Sequence, residues 1–344
     1  MVKALCQEMV LRQQELEEDQ IETLYLGGGT PSILSPEDLE TLFETIHKIF
    51  PLSPSAEITL EANPEDLTKP NLSAYQDLRI NRLSIGVQTL DNEKLKFLNR
   101  SHQATQAVEG IHLARTMGFN NLSLDLMYGL PDQSLEAWKK TLQQTLEFQP
   151  EHLSAYALTI EPPTVFGNWL KRGKMKSVND DLAAQHLEWM MSFLEDRGYQ
   201  HYEISNFCKP GYASIHNSNY WKAEKYIGIG PGAHSYHGQT RQFNIKNNPL
   251  YIKSIFQGTI PFEREVLSEK DKINEYLFTS LRTSWGCDLE KLLSQYHYDL
   301  RNRNKNYMDQ LIQNGFAVLE GSHFILTQKG KLLADKITVE LLVP

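Results

Sequence analysis

The chain has few cysteines for its length. Three occur among 344 residues, and Cys6, Cys208 and Cys287 lie far apart in sequence. A disulfide framework needs several cysteines at close spacings, and a CxxC-type metal site needs two thiols within a few residues of each other. The sequence therefore indicates neither, and we expect three isolated thiols that are buried or incidental.

Long apolar runs and an excess of positive charge are absent as well. No apolar stretch approaches the length of a membrane span, and the residues after Met1 do not resemble a signal peptide. The formal net charge of −9 and the pI near 5.7 argue against a general nucleic-acid-binding surface. With 40% apolar residues the chain can bury a sizeable core. We expect a cytoplasmic protein that does not bind nucleic acid.

The chain does contain four short polar motifs, and each one closes an apolar, strand-like run. They are Gly27-Gly28-Gly29-Thr30 after residues 24–26, Glu61 within 58–64, Gln88 at the end of 83–88, and Asp125 within 122–131. Barrel-like α/β enzymes build their sites from polar side chains at the C-terminal ends of successive parallel strands. The motifs therefore predict a ligand site at one edge of a parallel sheet.

Alternation within two of these strands predicts where the carboxylates point. Ile58 and Leu60 alternate with Glu61, and Leu124 alternates with Asp125. Because the apolar face should pack against helices, the carboxylates should face the barrel interior. A buried carboxylate is costly unless it is paired or solvated, and a ligand with cationic or hydroxyl groups meets that need. For any single carboxylate, a role in capping a loop at the barrel rim is the alternative.

Strands and helices alternate through the first two thirds of the sequence. The predicted order after the glycine turn is a helix that starts at Ser35, a strand at 81–88, a helix at 103–117, a strand at 121–127, a helix at 134–147, a strand at 152–160, a helix at 180–197 and a strand at 201–206. This order implies a parallel sheet with right-handed crossovers. Residues 226–235 are expected to form the last segment on the barrel side. Six or seven strands predict an incomplete barrel, because a closed one needs eight.

The sequence changes character from about Leu267. Three helical segments, the third at 302–314, precede two short strands around Gly321-Ser322, a pattern that resembles a winged helix. Basic and acidic residues alternate on the third helix, which favours a packing or partner role over DNA binding. We predict a barrel over residues 1–240, a linker over 241–266 and a winged-helix-like α+β domain over 267–344.

Taken together, the motifs resemble one family. GGGTP at 27–31, the Glu of LEANP, GVQ at 86–88, the Arg of Leu98-Asn99-Arg100 and DLMYGLP at 125–131 resemble the radical S-adenosylmethionine proteins related to oxygen-independent coproporphyrinogen oxidase, and specifically the HemW haem chaperones. The resemblance covers nearly the whole chain and includes the spacings. It implies an α/β fold with a partial (β/α)6 TIM-like barrel that binds S-adenosylmethionine. The residues it implies for this cofactor are Gly28, Gly29, Thr30, Glu61, Gln88, Arg100 and Asp125.

A second motif, residues 216–221, reads His-Asn-Ser-Asn-Tyr-Trp. It resembles the HNxxYW sequence that distinguishes HemW chaperones from coproporphyrinogen oxidases, and this resemblance implies haem binding by His216, Asn217, Tyr220 and Trp221. A neutral imidazole can ligate haem iron, and aromatic rings offer flat apolar surface to a porphyrin. His216 is therefore the candidate iron ligand, although a histidine beside aromatic residues is usually a hydrogen-bonded core residue. His234, in a glycine-rich loop, is a weaker candidate.

One motif of the family is missing. Radical S-adenosylmethionine proteins carry a CxxxCxxC loop after their first strand, whose three thiolates hold a 4Fe–4S cluster, and this sequence has no such motif. Residues 1–19 are expected to form the helix that follows this loop, so that the predicted barrel lacks its first strand. We expect an N-terminal truncation, and a natural relative without the cluster is the alternative. Cys6 has no neighbour at ligand spacing and is not a substitute.

The sequence thus predicts a haem-binding chaperone that delivers haem to acceptor haemoproteins. Two alternatives are an oxygen-independent coproporphyrinogen III dehydrogenase and a non-catalytic binding scaffold without a cluster. The HNSNYW motif favours the chaperone, and the missing cluster motif argues against catalytic turnover, so no catalytic residue is assigned. Expected partners are haem and acceptor haemoproteins; a peripheral membrane contact through these acceptors and a homodimer are left open.

Overall fold

The computed structural model describes residues 1–16, 20–162, 164–175, 177 and 179–344. The elements up to residue 221 are α1 (Val2–Leu11), β1 (Ile21–Leu26), α2 (Pro36–Ile49), β2 (Leu52–Ala62), α3 (Lys69–Asp77), β3 (Arg82–Gln88), α4 (Asn92–Phe97), α5 (Ala104–Thr116), β4 (Leu122–Tyr128), α6 (Leu135–Glu147), β5 (His152–Ala157), α7 (Val165–Lys171), α8 (Asp180–Glu195), β6 (Gln200–Glu203), β7 (Asn206–Cys208) and α9 (Ile215–Trp221). Short 3-10 turns cover Gln13–Leu16, Pro31–Ile33 and Pro64–Asp66.

The first five strands pair in parallel, in the order β1-β2-β3-β4-β5, and form a curled half-barrel. Glu61 pairs with Ser84 across β2 and β3, and Asp125 pairs with Ser154 across β4 and β5. Parallel neighbours of this kind need helical crossovers, which α2 to α6 supply. The predicted fold class, a partial TIM-like barrel followed by a winged-helix-like domain, is confirmed.

The apolar faces of the strands pack under these helices, as the alternation predicts. Leu60 and Leu124 are fully buried in the core between sheet and helices. The helix expected after the glycine turn begins at Pro36, and the Ser35 hydroxyl caps it by accepting a hydrogen bond from the backbone N–H of Asp38 at 3.2 Å. The inward faces of the strands are thereby left free to line a cavity.

The end of the half-barrel differs from the predicted succession of parallel strands. The strand expected at 152–160 ends at Ala157, and the strand expected at 201–206 is a hairpin of β6 and β7 in which β7 runs antiparallel to β5. Residues 204 and 205 join the two hairpin strands. Because a parallel neighbour needs a crossover of about a dozen residues, so short a connection permits only antiparallel pairing.

The segment expected to complete the barrel side forms a separate sheet. Residues 226–233 lie outside any strand, and β8 (His234–Tyr236), β9 (Thr240–Asn244) and β10 (Phe262–Val266) pair antiparallel, with α10 (Asn248–Phe256) between the last two. The last two residues of the expected segment, His234 and Ser235, belong to this second sheet, and Gly230 turns the chain with a φ of 115°. The predicted linker at 241–266 thus contains two strands and a helix; the domain boundaries themselves stay a prediction.

The N-terminal helix packs against this second sheet through a buried carboxylate. Glu8 of α1 accepts hydrogen bonds from the backbone N–H of Gly230 and from Nδ2 of Asn244, both at 2.7 Å. Helix α1 ends at Leu11, well short of the predicted bound at residue 19, and residues 17–19 lie outside the described residues.

The tail from residue 267 forms its own core. Its elements are α11 (Glu269–Ser280), β11 (Cys287–Asp288), α12 (Leu289–Tyr296), α13 (Leu300–Arg303), α14 (Lys305–Gln313), β12 (Ala317–Glu320), β13 (His323–Leu326), α15 (Gln328–Lys331) and α16 (Ala334–Leu341). The helix predicted at 302–314 is divided between α13 and α14 at Asn304. Strand β13 lies between β11 and β12, and Leu277, Phe324 and Leu341 are fully buried at the centre of this winged-helix-like unit.

Candidate functional site

A cavity of about 420 Å³ opens into the half-barrel. Its walls are the inward faces of β1 to β5, and helix α9 contributes part of the lining. Residues near the C-terminal ends of the strands form a rim, which we define as Gly29, Thr30, Asn63, Gln88 and Arg100. We call the opposite part, where α9 meets the start of the strands, the lower end; it contains Arg82, His152, His216, Asn217 and Tyr220.

Six of the seven residues that the family resemblance implies for S-adenosylmethionine line this one cavity. They are Gly29, Thr30, Glu61, Gln88, Arg100 and Asp125. The seventh, Gly28, is not in the lining; it turns the chain with a φ of 79°. The inward phase of Glu61 and Asp125 therefore agrees with the alternation in their strands.

Glu61 is held by a tyrosine that the sequence reading did not single out. The hydroxyl of Tyr25 donates a hydrogen bond to Oε1 of Glu61 at 2.7 Å. Burial, and next the negative charge of Glu61, raise the pKa of Tyr25, so the phenol stays protonated. One carboxylate oxygen of Glu61 is thus occupied by the protein, and the other is available to a ligand.

Asp125 lies in the middle of the cavity and is surrounded by hydroxyls. Ser84 is 3.1 Å from both carboxylate oxygens, and Ser123 approaches one of them at 3.4 Å. Burial raises the pKa of Asp125 to about 6, against the opposing effect of the Arg82 charge. At pH 7 the group is therefore mostly ionised, which suits an acceptor of hydrogen bonds from ligand hydroxyls.

Gln88 adopts a backbone conformation that is rare for its residue type. Its φ of 63° lies in the left-handed region, where residues other than glycine are strained. Gly86 leaves the room that this side chain needs, because a Cβ at Gly86 would stand 3.1 Å from Nε2 of Gln88 and 3.8 Å from Nη1 of Arg100. Strain of this kind concentrates at ligand sites.

At the lower end, a carboxylate on β2 holds the start of α9. Glu57 is 7% exposed and accepts hydrogen bonds from the Ser214 hydroxyl at 3.2 Å and from the backbone N–H groups of Ile215 and His216 at 3.0 and 2.9 Å. A carboxylate at a helix N-terminus satisfies unpaired N–H groups. Glu57 was missed from the sequence, although it shares the inward phase of Glu61.

His216 has both ring nitrogens engaged. Its Nδ1 lies 2.8 Å from Oγ1 of Thr23, its Nε2 lies 3.1 Å from the Tyr220 hydroxyl, and its ring stacks on Tyr25 with centroids 4.8 Å apart. Burial lowers the pKa of His216 to about 4, so the imidazole is neutral at pH 7. When Nδ1 donates its proton to Thr23, Nε2 presents a lone pair toward Tyr220.

A chain of hydrogen bonds joins α9 to the middle of the cavity. Asn217 donates to the Tyr202 hydroxyl at 3.3 Å, this hydroxyl lies 2.9 Å from Nε2 of His152, and Nδ1 of His152 lies 2.8 Å from the Ser123 hydroxyl. Ser123 in turn approaches Asp125. Burial, followed by the Arg82 charge, lowers the pKa of His152 well below its usual value, so this link is neutral.

The other candidates for haem differ in position. Tyr220 lines the cavity and is 44% exposed, with its ring edge-on to Tyr226 at 4.7 Å. Trp221 does not line the cavity, and its Nε1 is buried without a hydrogen-bond partner among the described residues. His234 is exposed on β8, outside the cavity, and packs on Phe243.

The cysteines do not form a cluster site. Cys6 lies on α1, Cys208 on β7 and Cys287 on β11, and the last two are buried. Within the ranges that the structure describes, no three histidine, cysteine or acidic side chains are grouped so as to hold a metal ion. These thiols do not fit a 4Fe–4S cluster, which needs three or four cysteine ligands.

Comparisons with known proteins agree with this architecture. Residues 4–145 match the radical SAM superfamily, and residues 267–333 match the HemN C-terminal domain. Over 98% of its length the chain is 36% identical to the protein named "heme chaperone HemW" from Bacillus subtilis, of which it covers 89%. It is 35% identical to the protein of the same name from Escherichia coli, over 92% of this chain and 83% of that protein. The chain belongs to the HemW family of haem chaperones.

A solved structure supports the fold of this HemW-family chain. Coproporphyrinogen III oxidase (HemN) from Escherichia coli, described as a radical SAM enzyme, matches with a TM-score of 0.84 over 99% of this chain and 82% of that one. Because the identity is 23%, the likeness establishes the fold alone. In the described parts of this HemW-family chain, no helix has both the length and the apolar character to cross a membrane.

Proposed function

We propose that this chain binds haem at the lower end of the cavity, with His216 as an axial iron ligand, and hands the haem to acceptor haemoproteins. The observation that carries the proposal is the neutral imidazole of His216 in the cavity lining, at the head of the HNSNYW motif. A neutral imidazole with a lone pair on Nε2 is a common haem ligand. The family membership and the names of the relatives support the same function.

Neighbouring residues support His216 in this role. Thr23 lies 2.8 Å from Nδ1, and when its hydroxyl accepts the Nδ1 proton, Nε2 carries the lone pair that can ligate iron. The Tyr220 hydroxyl lies 3.1 Å from Nε2 of His216 and has to move away before iron can bind this nitrogen. The side chain has room to move because it is 44% exposed. Tyr220 offers aromatic surface in the cavity lining, whereas Trp221 lies outside the lining, and Asn217 anchors α9 to Tyr202.

We propose S-adenosylmethionine as the ligand of the upper part of the cavity. Arg100 suits its carboxylate, Glu61 and Asp125 suit its ammonium or ribose hydroxyls, and Gly29 allows close approach of the backbone. Gly28 shapes the turn without lining the cavity. When bound in proteins with a cluster, this cofactor supplies radical chemistry. The residues here bind and orient it, and delivery of haem needs no such chemistry.

A haem titration followed by absorbance tests the main proposal. We expect His216→Ala to bind haem at least about tenfold more weakly than the wild type and to shift the Soret band, since even outer-shell partners of metal ligands are worth about 10- to 100-fold in affinity. His234→Ala is the matched control, because this histidine is exposed outside the cavity. Equal spectra and affinities for wild type and His216→Ala would remove His216 as the ligand.

Delivery is tested separately. Loaded protein is mixed with an apo-haemoprotein, and the acceptor spectrum is followed over time. Transfer faster than the release of haem to buffer supports the chaperone function, whereas transfer limited by free release contradicts it. The cytoplasmic location, the homodimer and the membrane contact through acceptors stay predictions.

A further inference from the structure

Arg82 is a buried cation inside the cavity that neither the motifs nor the family resemblance assigned. It is the first residue of β3, it is 3% exposed, and its side chain contributes to the lining. It has the same inward phase as Ser84 and Gln88 on the same strand, and it lies at the lower end of the cavity. Arginine is almost never fully buried unless it is paired.

Among the residues that the structure describes, the guanidinium has no hydrogen-bonded partner. It forms no ion pair with any of these residues either, and its Nε is buried and unsatisfied. The nearby carboxylates are engaged elsewhere, because Asp125 accepts from Ser84 and Glu61 accepts from Tyr25. A buried charge that the fold leaves unpaired is costly, which indicates that a ligand supplies the missing anion.

The surrounding groups cannot supply that anion themselves. Burial is the main cause that keeps His152 and His216 neutral, and the positive charge of Arg82 lowers the pKa of both further. The Tyr202 phenol is also neutral, since burial raises its pKa. Two carboxylates remain near this charge, and both are hydrogen-bonded to other groups: Glu57 holds the start of α9, and Asp125 is bound by hydroxyls, so neither forms an ion pair with Arg82 among the described residues.

We propose that Arg82 binds a carboxylate of the ligand held in this cavity. A guanidinium fork matches a carboxylate with two parallel N–H···O bonds, and the match is strongest where water is excluded. Two sources of carboxylate are available, the propionates of haem and the carboxylate of S-adenosylmethionine. The position of Arg82 near His216 favours a propionate, an assignment that rests on the proposed function, while Arg100 at the rim is placed for the other ligand.

The first test compares haem with its dimethyl ester, which lacks the propionate charges. We expect the wild type to bind haem about tenfold to a hundredfold more tightly than the ester, and Arg82→Met to bind both equally, because a charged hydrogen bond of this kind is lost. Arg82→Lys keeps the charge without the fork and should retain part of the preference. Arg301→Met, which removes an exposed arginine of the tail, is the control for net charge and should keep the full preference.

The second test distinguishes the two sources. Equilibrium dialysis compares S-adenosylmethionine with its decarboxylated form on the same four proteins. If Arg82 is needed for the preference between these two compounds, but not for the preference between haem and its ester, Arg82 binds the carboxylate of S-adenosylmethionine. If the wild type binds neither haem nor S-adenosylmethionine, the proposed function fails, and sodium propionate then tests Arg82 alone. In that case propionate should raise the Tm of the wild type above that in sodium chloride of equal ionic strength, with no rise for Arg82→Met.

Three results would overturn the proposal. One is that the wild type prefers the charged member of neither ligand pair. Another is that folded Arg82→Met, checked by circular dichroism, keeps every preference of the wild type. A wild type that binds neither ligand and gains no Tm from propionate overturns it as well.

Discussion

The rim and the lower end of the cavity are built on different principles. At the rim, the side chain of Arg100 donates a long hydrogen bond to Oδ1 of Asn63 at 3.4 Å, and Gln88 adopts a strained backbone. At the lower end, Glu57 accepts three hydrogen bonds from the start of α9, and His216 has partners on both ring nitrogens. The polar atoms of the rim are thus available to a ligand, whereas most polar atoms of the lower end form hydrogen bonds that hold helix α9. Arg82 is the exception at the lower end.

The comparison implies that polar residues at the lower end contribute more to stability than those at the rim. Glu57→Ala should give the largest effect, a loss of about 3 kcal/mol in the free energy of unfolding, because two backbone N–H groups and a buried hydroxyl lose a charged acceptor. Urea unfolding measures the loss. Glu57→Gln should lose less, since it keeps one acceptor oxygen, and Glu22→Ala, at an exposed position of β1, should change little. A loss below about 1 kcal/mol for Glu57→Ala would break the comparison.

Asp125, between the two ends, should show an effect that depends on pH. Burial raises its pKa to about 6 from the ordinary value near 4, so between these pH values the folded chain keeps a proton that the unfolded chain has lost. The group therefore contributes stability at pH 4 that is lost as the pH rises through about 6.

Asp125→Asn removes this titration, and the variant should gain about 2 kcal/mol of unfolding free energy relative to the wild type on going from pH 4.5 to pH 7.5. The asparagine can still accept from Ser84. Unfolding in urea at the two pH values measures the gain, and Asp77→Asn, at an exposed position of α3, serves as the control. A difference between variant and wild type that stays constant with pH contradicts the buried position of the carboxylate.

The smallest effect on stability is expected at the rim. Arg100→Met should change the unfolding free energy by less than about 1 kcal/mol, because the side chain makes a single weak hydrogen bond to the part of the chain that the structure describes. Binding of S-adenosylmethionine, measured by equilibrium dialysis, should weaken by about tenfold through the loss of its carboxylate partner. Arg100→Lys should weaken it less. If Arg100→Met instead destabilised the fold as much as Glu57→Ala, the rim would be a structural element and the contrast would disappear.

Most of the rim could be predicted from the sequence, and so could His216, Asn217 and Tyr220 at the lower end. The buried groups around them, Arg82, His152 and Glu57, were not predicted. Period-two alternation gave Glu61 and Asp125 their inward phase, because strand side chains alternate between two faces. The same alternation, applied to β3 and to the earlier part of β2, places Arg82 and Glu57 on the inward face. Neither residue was identified from the sequence, because neither belongs to one of the four polar motifs. The antiparallel hairpin of β6 and β7 was missed because a strand pattern does not state its direction.

The sequence by itself determined the elements that depend on local chemistry. Ser35 starts α2, alternating residues line the half-barrel, and the motifs at 27–31, 125–131 and 216–221 carry the family resemblance. Only the tertiary structure decided that Glu57 holds α9, with Ile215 lying 158 positions further along the chain, and that Arg82 lies buried with no hydrogen-bond partner among the described residues. The physical reason is that a buried charge is satisfied or left unpaired by residues distant in sequence, and no local spacing encodes which of them the fold brings within hydrogen-bond distance.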